Sequence, residues 1–215
     1  LEDEIMSIRI LTNSSKFLQQ LKEEVKDLLV PQLKKARKGL RAELTIKIPK
    51  WIFTSLDYYL LDKKRNRVEL GITEEQLDKA MYDIATVIVA SLRIELTKDP
   101  GGLKLYFDPD ALEFIKEMPS GRYISENGHL VQWLNWLLVA GSQIVVEGHH
   151  FTDRPGEGRI GGGVMFKGGV WRVPLEIRGD SQENLVTRVI DKKIKEIYRL
   201  MRGHLLGEKP RLKYQ

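Results

Sequence analysis

Between His129 and Gly179 the chain changes character twice, and this limits what it can fold into. An aromatic, almost uncharged run, HLVQWLNWLLVAGSQIVVEGHHF, passes into a charged glycine-rich stretch, TDRPGEGRIGGG, and then into VMFKGGVWRVPLEIRG. A small core element feeding a sheet, with a long mobile loop on the sheet's edge, fits that order. No group of residues in it makes a reaction centre. The pattern suits a protein that builds assemblies better than one that turns over a substrate.

At 215 residues the chain is one large domain, or one domain with a long helical extension. It has no cysteine, which excludes structural disulfides, thiolate metal sites and a cysteine nucleophile. The longest apolar run, Val131 to Val146, is interrupted by Gln132, Asn135, Gly141, Ser142 and Gln143, so no segment approaches the roughly 20 residues that cross a bilayer. The first residues are acidic and show no secretory signal, and the chain reads as soluble. Its net charge of +5 hides an asymmetry. Lys16 to Arg67 carries 14 Lys/Arg against 6 Asp/Glu and Arg188 to Lys213 carries 9 against 3, whereas Val68 to Thr187 carries 11 against 18. Basic ends around an acidic middle imply either a nucleic-acid surface or complementary packing within or between subunits.

The periodicity gives a mixed chain. Phe17, Leu18, Leu21, Val25, Leu28 and Leu29 recur at helical spacing, and Pro31 either kinks this helix or opens a second. Leu33, Ala36, Leu40 and Leu44 form a narrow apolar stripe on a basic helix, a pattern that normally packs against one neighbour. Pro49 reads as a boundary and Asp62 to Arg67 as a solvated loop. Thr73 and Gln76 form a capping box for a helix through Leu77, Met81, Ile84, Ala85 and Ile88. Alternation then predicts a hairpin, Leu92 to Leu96 and Leu103 to Phe107, across Asp99-Pro100-Gly101-Gly102. A short helix over Pro109 to Lys116, another over His129 to Ala140 ended by Gly141, and a strand over Gln143 to Phe151 follow. Val164 to Lys167 and Val170 to Ile177 are read as two strands joined by a tight turn at Gly168-Gly169. Ser181 caps a last helix with the stripe Leu185, Val189, Ile190, Ile194, Ile197, Tyr198 and Met201, and the tail after Gly203 is basic.

Candidate chemistry is thin. His149 and His150 are adjacent, so on a strand they face opposite sides and cannot share a metal. Glu147 and His149 share a face, but no third ligand has a recognised spacing. A hydrolase built on Glu147, His149 and His150 is therefore a weak alternative. The loop Gly156 to Gly163 lacks the Lys-Ser/Thr pair of a P-loop and is followed by a strand where a dinucleotide loop needs a helix. Asp108 with Asp110, and Glu113 with Glu117, read as solvated charge. Ser120-Gly121-Arg122 lies far in sequence from any base. Trp133 and Trp136, three apart on a helix, read as a core stripe or a subunit contact.

One set of motifs is more specific. Trp133-Leu134-Asn135-Trp136-Leu137-Leu138, then Gly158-Arg159-Ile160-Gly161-Gly162-Gly163-Val164-Met165, then Trp171-Arg172-Val173-Pro174 and Asn184 to Arg188 resembles the neck or tail-completion proteins of tailed bacteriophages. The resemblance covers roughly the C-terminal half by motif and the rest by layout; the arm from Lys16 to Arg67 carries no motif of that family. It implies a virion structural protein, assembled in the host cytoplasm, that forms a homo-oligomeric ring between the capsid portal and the tail. The partners it implies are other neck, portal-adaptor or tail proteins, with no catalysis, no cofactor and no membrane. Contact with DNA stays open.

The expectation is an α+β fold, a twisted antiparallel sheet packed against long helices. Its parts are a basic helical arm (1–67), a core domain (68–203) and a basic tail (204–215). Trp133, Trp136, Arg159, Gly161, Gly162, Gly163, Trp171 and Arg172 are the interface candidates. The loop from Arg154 to Gly163 is expected to order on assembly, with Arg159 meeting an acidic neighbour. The alternative function is nucleic-acid binding through the basic N- and C-terminal helices.

Overall fold

A computed structural model of the chain describes residues 14–97, 102–125, 128–143, 146–152 and 163–207. The expected α+β class holds: helices enclose the core, and the strands form three separate antiparallel pairs. The longest element is α1, Ser14–Phe53, which runs unbroken through Pro31 and Pro49. Each proline frees the carbonyl four residues back, at Asp27 and Thr45, and both residues are exposed, so water can take the missing bond. The expected boundary at Pro49 is thus corrected. The stripe Leu33, Ala36, Leu40 and Leu44 is buried as expected and continues to Ile48, Trp51 and Ile52. It packs against two long helices and a strand, not one neighbour.

Those helices are α4 (Glu74–Ser91) and α7 (Leu185–Leu206). The Thr73–Gln76 capping box starts α4 with both reciprocal bonds formed. Before it come α2 (Leu56–Asp62), capped by Ser55, and α3 (Lys64–Leu70). The expected solvated loop at Asp62 to Arg67 is therefore largely helical. Asn66 is buried and donates to the Leu60 carbonyl at 2.7 Å, and Arg67 bridges Asp62 and Glu74. Polar composition suggested a loop, but here the polar groups bond locally.

The hairpin β1 (Leu92–Leu96) with β2 (Leu103–Phe107) has Leu92 opposite Phe107 and Leu96 opposite Leu103; residues 98–101 of its turn lie outside the described residues. Helix α5 (Ala111–Lys116) follows. The expected helix from His129 to Ala140 is shorter. Leu130–Val131 (β4) pairs with Tyr123–Ile124 (β3), and only Trp133–Leu138 is helical (α6). Ser125 holds the entry, taking the His129 N–H on its hydroxyl at 3.0 Å.

The third pair is β5 (Val146–Thr152) with β6 (Val164–Trp171). Gly168 and Gly169 do not make a hairpin turn. They lie inside β6 with φ of 101° and 81°, opposite the single residue Gly148 at 72°. This is a bulge, two residues facing one, and only glycine takes those angles without strain. The strand expected up to Ile177 stops at Trp171, and Val173 and Ile177 are buried from an irregular segment instead.

Helix α7 is capped by Asn184, not Ser181. The Asn184 side chain accepts from the N–H groups of Val186 and Thr187, and Thr187 returns the bond to the Asn184 N–H. Asp180 takes the N–H groups of Glu183 and Gln182, which holds its carboxyl below the usual range and fixes the approach to the helix. Leu185, Val189 and Ile197 are buried, whereas Ile194 and Tyr198 face solvent. Helices α1 and α7 run antiparallel: Lys47 pairs with Glu196 at 3.0 Å, and Glu43 with His204 at 3.0 Å. The hydrophobic cluster takes in α1, α4, α6 and α7 together.

Candidate functional site

The aromatic residues singled out in the sequence divide between two depths. Trp133 is 1% exposed and is a core residue of α6. Trp136, one turn on, is half-buried and meets Trp171 edge to face, with ring centroids 5.5 Å apart and planes at 69°. Both line a cavity of about 440 Å³ at the base of the β5–β6 ribbon. Tyr123, Phe151, Met165 and Leu70 form much of the remaining wall.

The polar groups of this cavity are already engaged. The Trp171 indole N–H donates to Glu69 at 2.8 Å, and the Tyr123 hydroxyl donates to the Leu70 carbonyl at 3.1 Å. These bonds tie the ribbon and the β3–β4 pair to α3. Gly163 sits on the rim with φ 68°, and a Cβ there would lie 2.5 Å from the Phe151 ring. Such a cavity suits apolar side chains better than a charged ligand.

Above its base the ribbon leaves the body. Every residue from Met165 to Val170 is exposed, including Phe166 at 43% and Val170 at 49%. Its partner strand is exposed at Gly148, His149 and His150. Residues facing both sides of the ribbon are thus in solvent. Among the described residues each strand pairs in a ladder only with the other, the arrangement in which a strand edge can take a further strand. Arg172 is exposed just past the strand end. Arg159, Gly161 and Gly162, with the loop expectation for Arg154 to Gly163 apart from Gly163 itself, lie outside the described residues.

The other sequence candidates are not brought into a constellation. His150 bonds through Nδ1 to the Gly168 carbonyl at 2.8 Å and lies beside Phe166, while His149 stands opposite Lys167. No group of three His, Asp or Glu side chains placed to hold a metal occurs among the described residues. Asp108 pairs with Arg93 and caps the Asp110 N–H, and Glu113 pairs with Lys116. The Ser120 hydroxyl is buried without a hydrogen-bond partner among the described residues, so no base is in place to activate it.

Sequence reasoning missed Tyr123, Phe151, Phe166 and Glu69. Glu69 and Tyr123 carry no local signal, because only folding brings them to Trp171 and Leu70. Phe166 and Val170 had one: apolar residues in a strand whose neighbours are lysine and glycine. Among the described residues no helix is long and apolar enough to cross a membrane. Comparison with protein-family models, with curated proteins and with solved structures returns no match for this chain.

Proposed function

We propose that the protein works by assembly, as a virion structural protein of a tailed-phage head–tail connection that forms a homo-oligomeric ring. The observation that carries the reading is the β5–β6 ribbon, exposed on both faces with apolar Phe166 and Val170, standing over an apolar cavity walled by Trp136 and Trp171. A free ribbon edge accepts or donates a strand, and a neighbouring apolar cavity receives the side chains that come with it. The narrower identification, a neck or tail-completion ring docked on portal-adaptor or tail proteins within the virion, rests on the sequence motifs described above.

The test is the mass of the purified chain alone and mixed with portal and tail partners. An apolar, strand-paired contact should survive added salt, and a Phe166→Ser/Val170→Ser variant should keep its unfolding midpoint but lose the assembled mass. A protein that stays monomeric under both conditions, or a double variant that assembles as well as the parent, refutes the reading.

A further inference from the structure

We infer that a groove between α4, α5 and the start of α7 is a docking site for the chain's own C-terminal segment, supplied by a second copy. The groove holds a cavity of about 310 Å³. Ile88 of α4, Leu112 and Ile115 of α5, and Val186 and Ile190 of α7 wall it, with Phe107 from the end of β2. That volume is at the small end of ligand sites, and its walls are apolar, so it suits one or two apolar side chains better than a cofactor. The apolar surface continues outward from the cavity. Ile194 and Tyr198 follow Ile190 at four-residue steps on one side of α7, and they are 45% and 66% exposed.

The rim of this groove is acidic. Asp108 and Asp191 line it, and the exposed Asp110 and Glu183 each adjoin a lining residue in sequence. Asp108 meets Arg93 at 3.4 Å. Asp191 is exposed and forms no ion pair among the described residues, even with Lys195 one turn further along α7. The hydroxyls of the lining are used within the fold: Ser91 donates to the Ile88 carbonyl at 2.9 Å, and Thr187 closes the cap of α7. An apolar slot with carboxylates at its mouth selects a segment in which apolar and basic residues alternate.

The sequence after α7 has that alternation. It reads Glu208-Lys209-Pro210-Arg211-Leu212-Lys213-Tyr214-Gln215. In an extended chain alternate residues share a side, which sets Pro210, Leu212 and Tyr214 against Lys209, Arg211 and Lys213. Leu212 and Tyr214 then fill the cavity and the strip beside it, while the long stems of Arg211 and Lys213 carry their charges back to the rim. Reach makes the donor another copy. Asp191, the lining residue of α7 nearest its end, stands 16 positions before Gly207, about 24 Å at 1.5 Å per helical residue. Leu212 lies five residues past Gly207 and extends at most about 18 Å from it. Other segments fit the groove less well. Residues 1–13 include Glu2, Asp3 and Glu4, which the rim repels, and residues 153–162 hold one large apolar residue, Ile160. The contact uses a different face from the β5–β6 ribbon, and it rests on the proposed function only in taking the chain to self-associate.

Fluorescence anisotropy with a labelled peptide of residues 207–215 is the test, read on the full-length Leu212→Ser/Tyr214→Ser chain so that no second tail competes. The peptide should bind saturably. A peptide of the same composition, with its cations grouped at one end and its apolar residues at the other, should bind about tenfold more weakly. Adding Asp191→Lys, a change at an exposed position, should weaken the native peptide by about tenfold. Adding Ala111→Trp, which fills the cavity, should abolish binding. A regrouped peptide that binds as tightly as the native one overturns the inference. So does full affinity in the Asp191→Lys and Ala111→Trp chains. Adding Phe166→Ser/Val170→Ser should leave the peptide affinity unchanged, because the ribbon is a separate face. The readout does not need the ring: a monomeric chain that binds the peptide refutes the ring alone, and a chain that assembles but does not bind it refutes the docking site alone.

Discussion

One contact that ties the N-terminal half to the last helix is an ion pair between Asp57 and Arg188, and breaking it gives a sharp test of how the core is held. Asp57 is 3% exposed in the first turn of α2. Its Oδ1 accepts from Arg188 Nε at 2.6 Å and lies 2.5 Å from Nη2, while Nη1 donates to the Arg178 carbonyl at 3.2 Å. The short Nη2 distance is not a well-aligned hydrogen bond, so that branch acts through charge. Removing one member of a buried pair costs about 3–5 kcal/mol, because the remaining charge has lost both water and partner. The Arg188 side chain keeps 18% of its exposure, which lets some water in and favours the lower end, about 3 kcal/mol for Arg188→Met. For a chain of this size that is roughly 6–12 °C in Tm. The double variant Asp57→Leu/Arg188→Met removes the stranded charge as well. It should be more stable than the sum of the two single losses, by about 2 kcal/mol in a double-mutant cycle followed by urea unfolding. Single variants within about 0.5 kcal/mol of the parent, or strictly additive losses, refute the claim that this pair holds α2 against α7.

The two tryptophans of α6 should separate: Trp133→Ala loses about 3–5 kcal/mol in chemical denaturation, and half-buried Trp136→Ala loses clearly less. Tyr58, half-buried beside Asp78 and donating to it at 2.7 Å, has its phenol pushed up to about 12, first by desolvation and then by the bond and charge of Asp78. The fold prefers the neutral phenol, so its contribution is complete below pH about 10 and disappears as pH rises toward 12. Alkaline unfolding should lose that component in Tyr58→Phe, and a parent whose phenol titrates near 10 by absorbance contradicts it. At Gly179 a Cβ would sit 1.9 Å from the Leu137 carbonyl, so Gly179→Ala should displace the α6–α7 junction and sharply lower the thermal midpoint. Gly128 has open space but φ 78°, so Gly128→Ala should cost only about 1 kcal/mol.

Much of the helical layout was legible from local pattern. The stripe of α1 from Leu33 to Leu44, the capping box of α4 and the β1–β2 alternation depend on residues near one another in sequence, and they appear as read. The errors differ in cause. Water can take the carbonyl that Pro49 frees, and the charged run at Asp62 to Arg67 bonds to near neighbours. Asn184 caps α7 in place of Ser181, and the paired glycines at 168–169 face Gly148 on the neighbouring strand. For α3 the charged run closed on Leu60, Asp62 and Glu74; for the paired glycines the partner was Gly148 on the facing strand.

The sequence by itself determined the amphipathic helices, the hairpin alternation and the concentration of positive charge at both ends, because each follows from the order of residue types along the chain. Only tertiary structure decided that Trp133 is core while Trp136 walls a cavity with Trp171, since burial depends on what packs over a helix face. It decided too that the β5–β6 ribbon stands clear of the body, and that the two basic segments become neighbours. Glu43 and His204 are 161 positions apart in sequence, and the antiparallel packing of α1 on α7 brings them to 3.0 Å. Local pattern fixes which faces exist; the long-range contacts fix which faces meet and which are left to solvent.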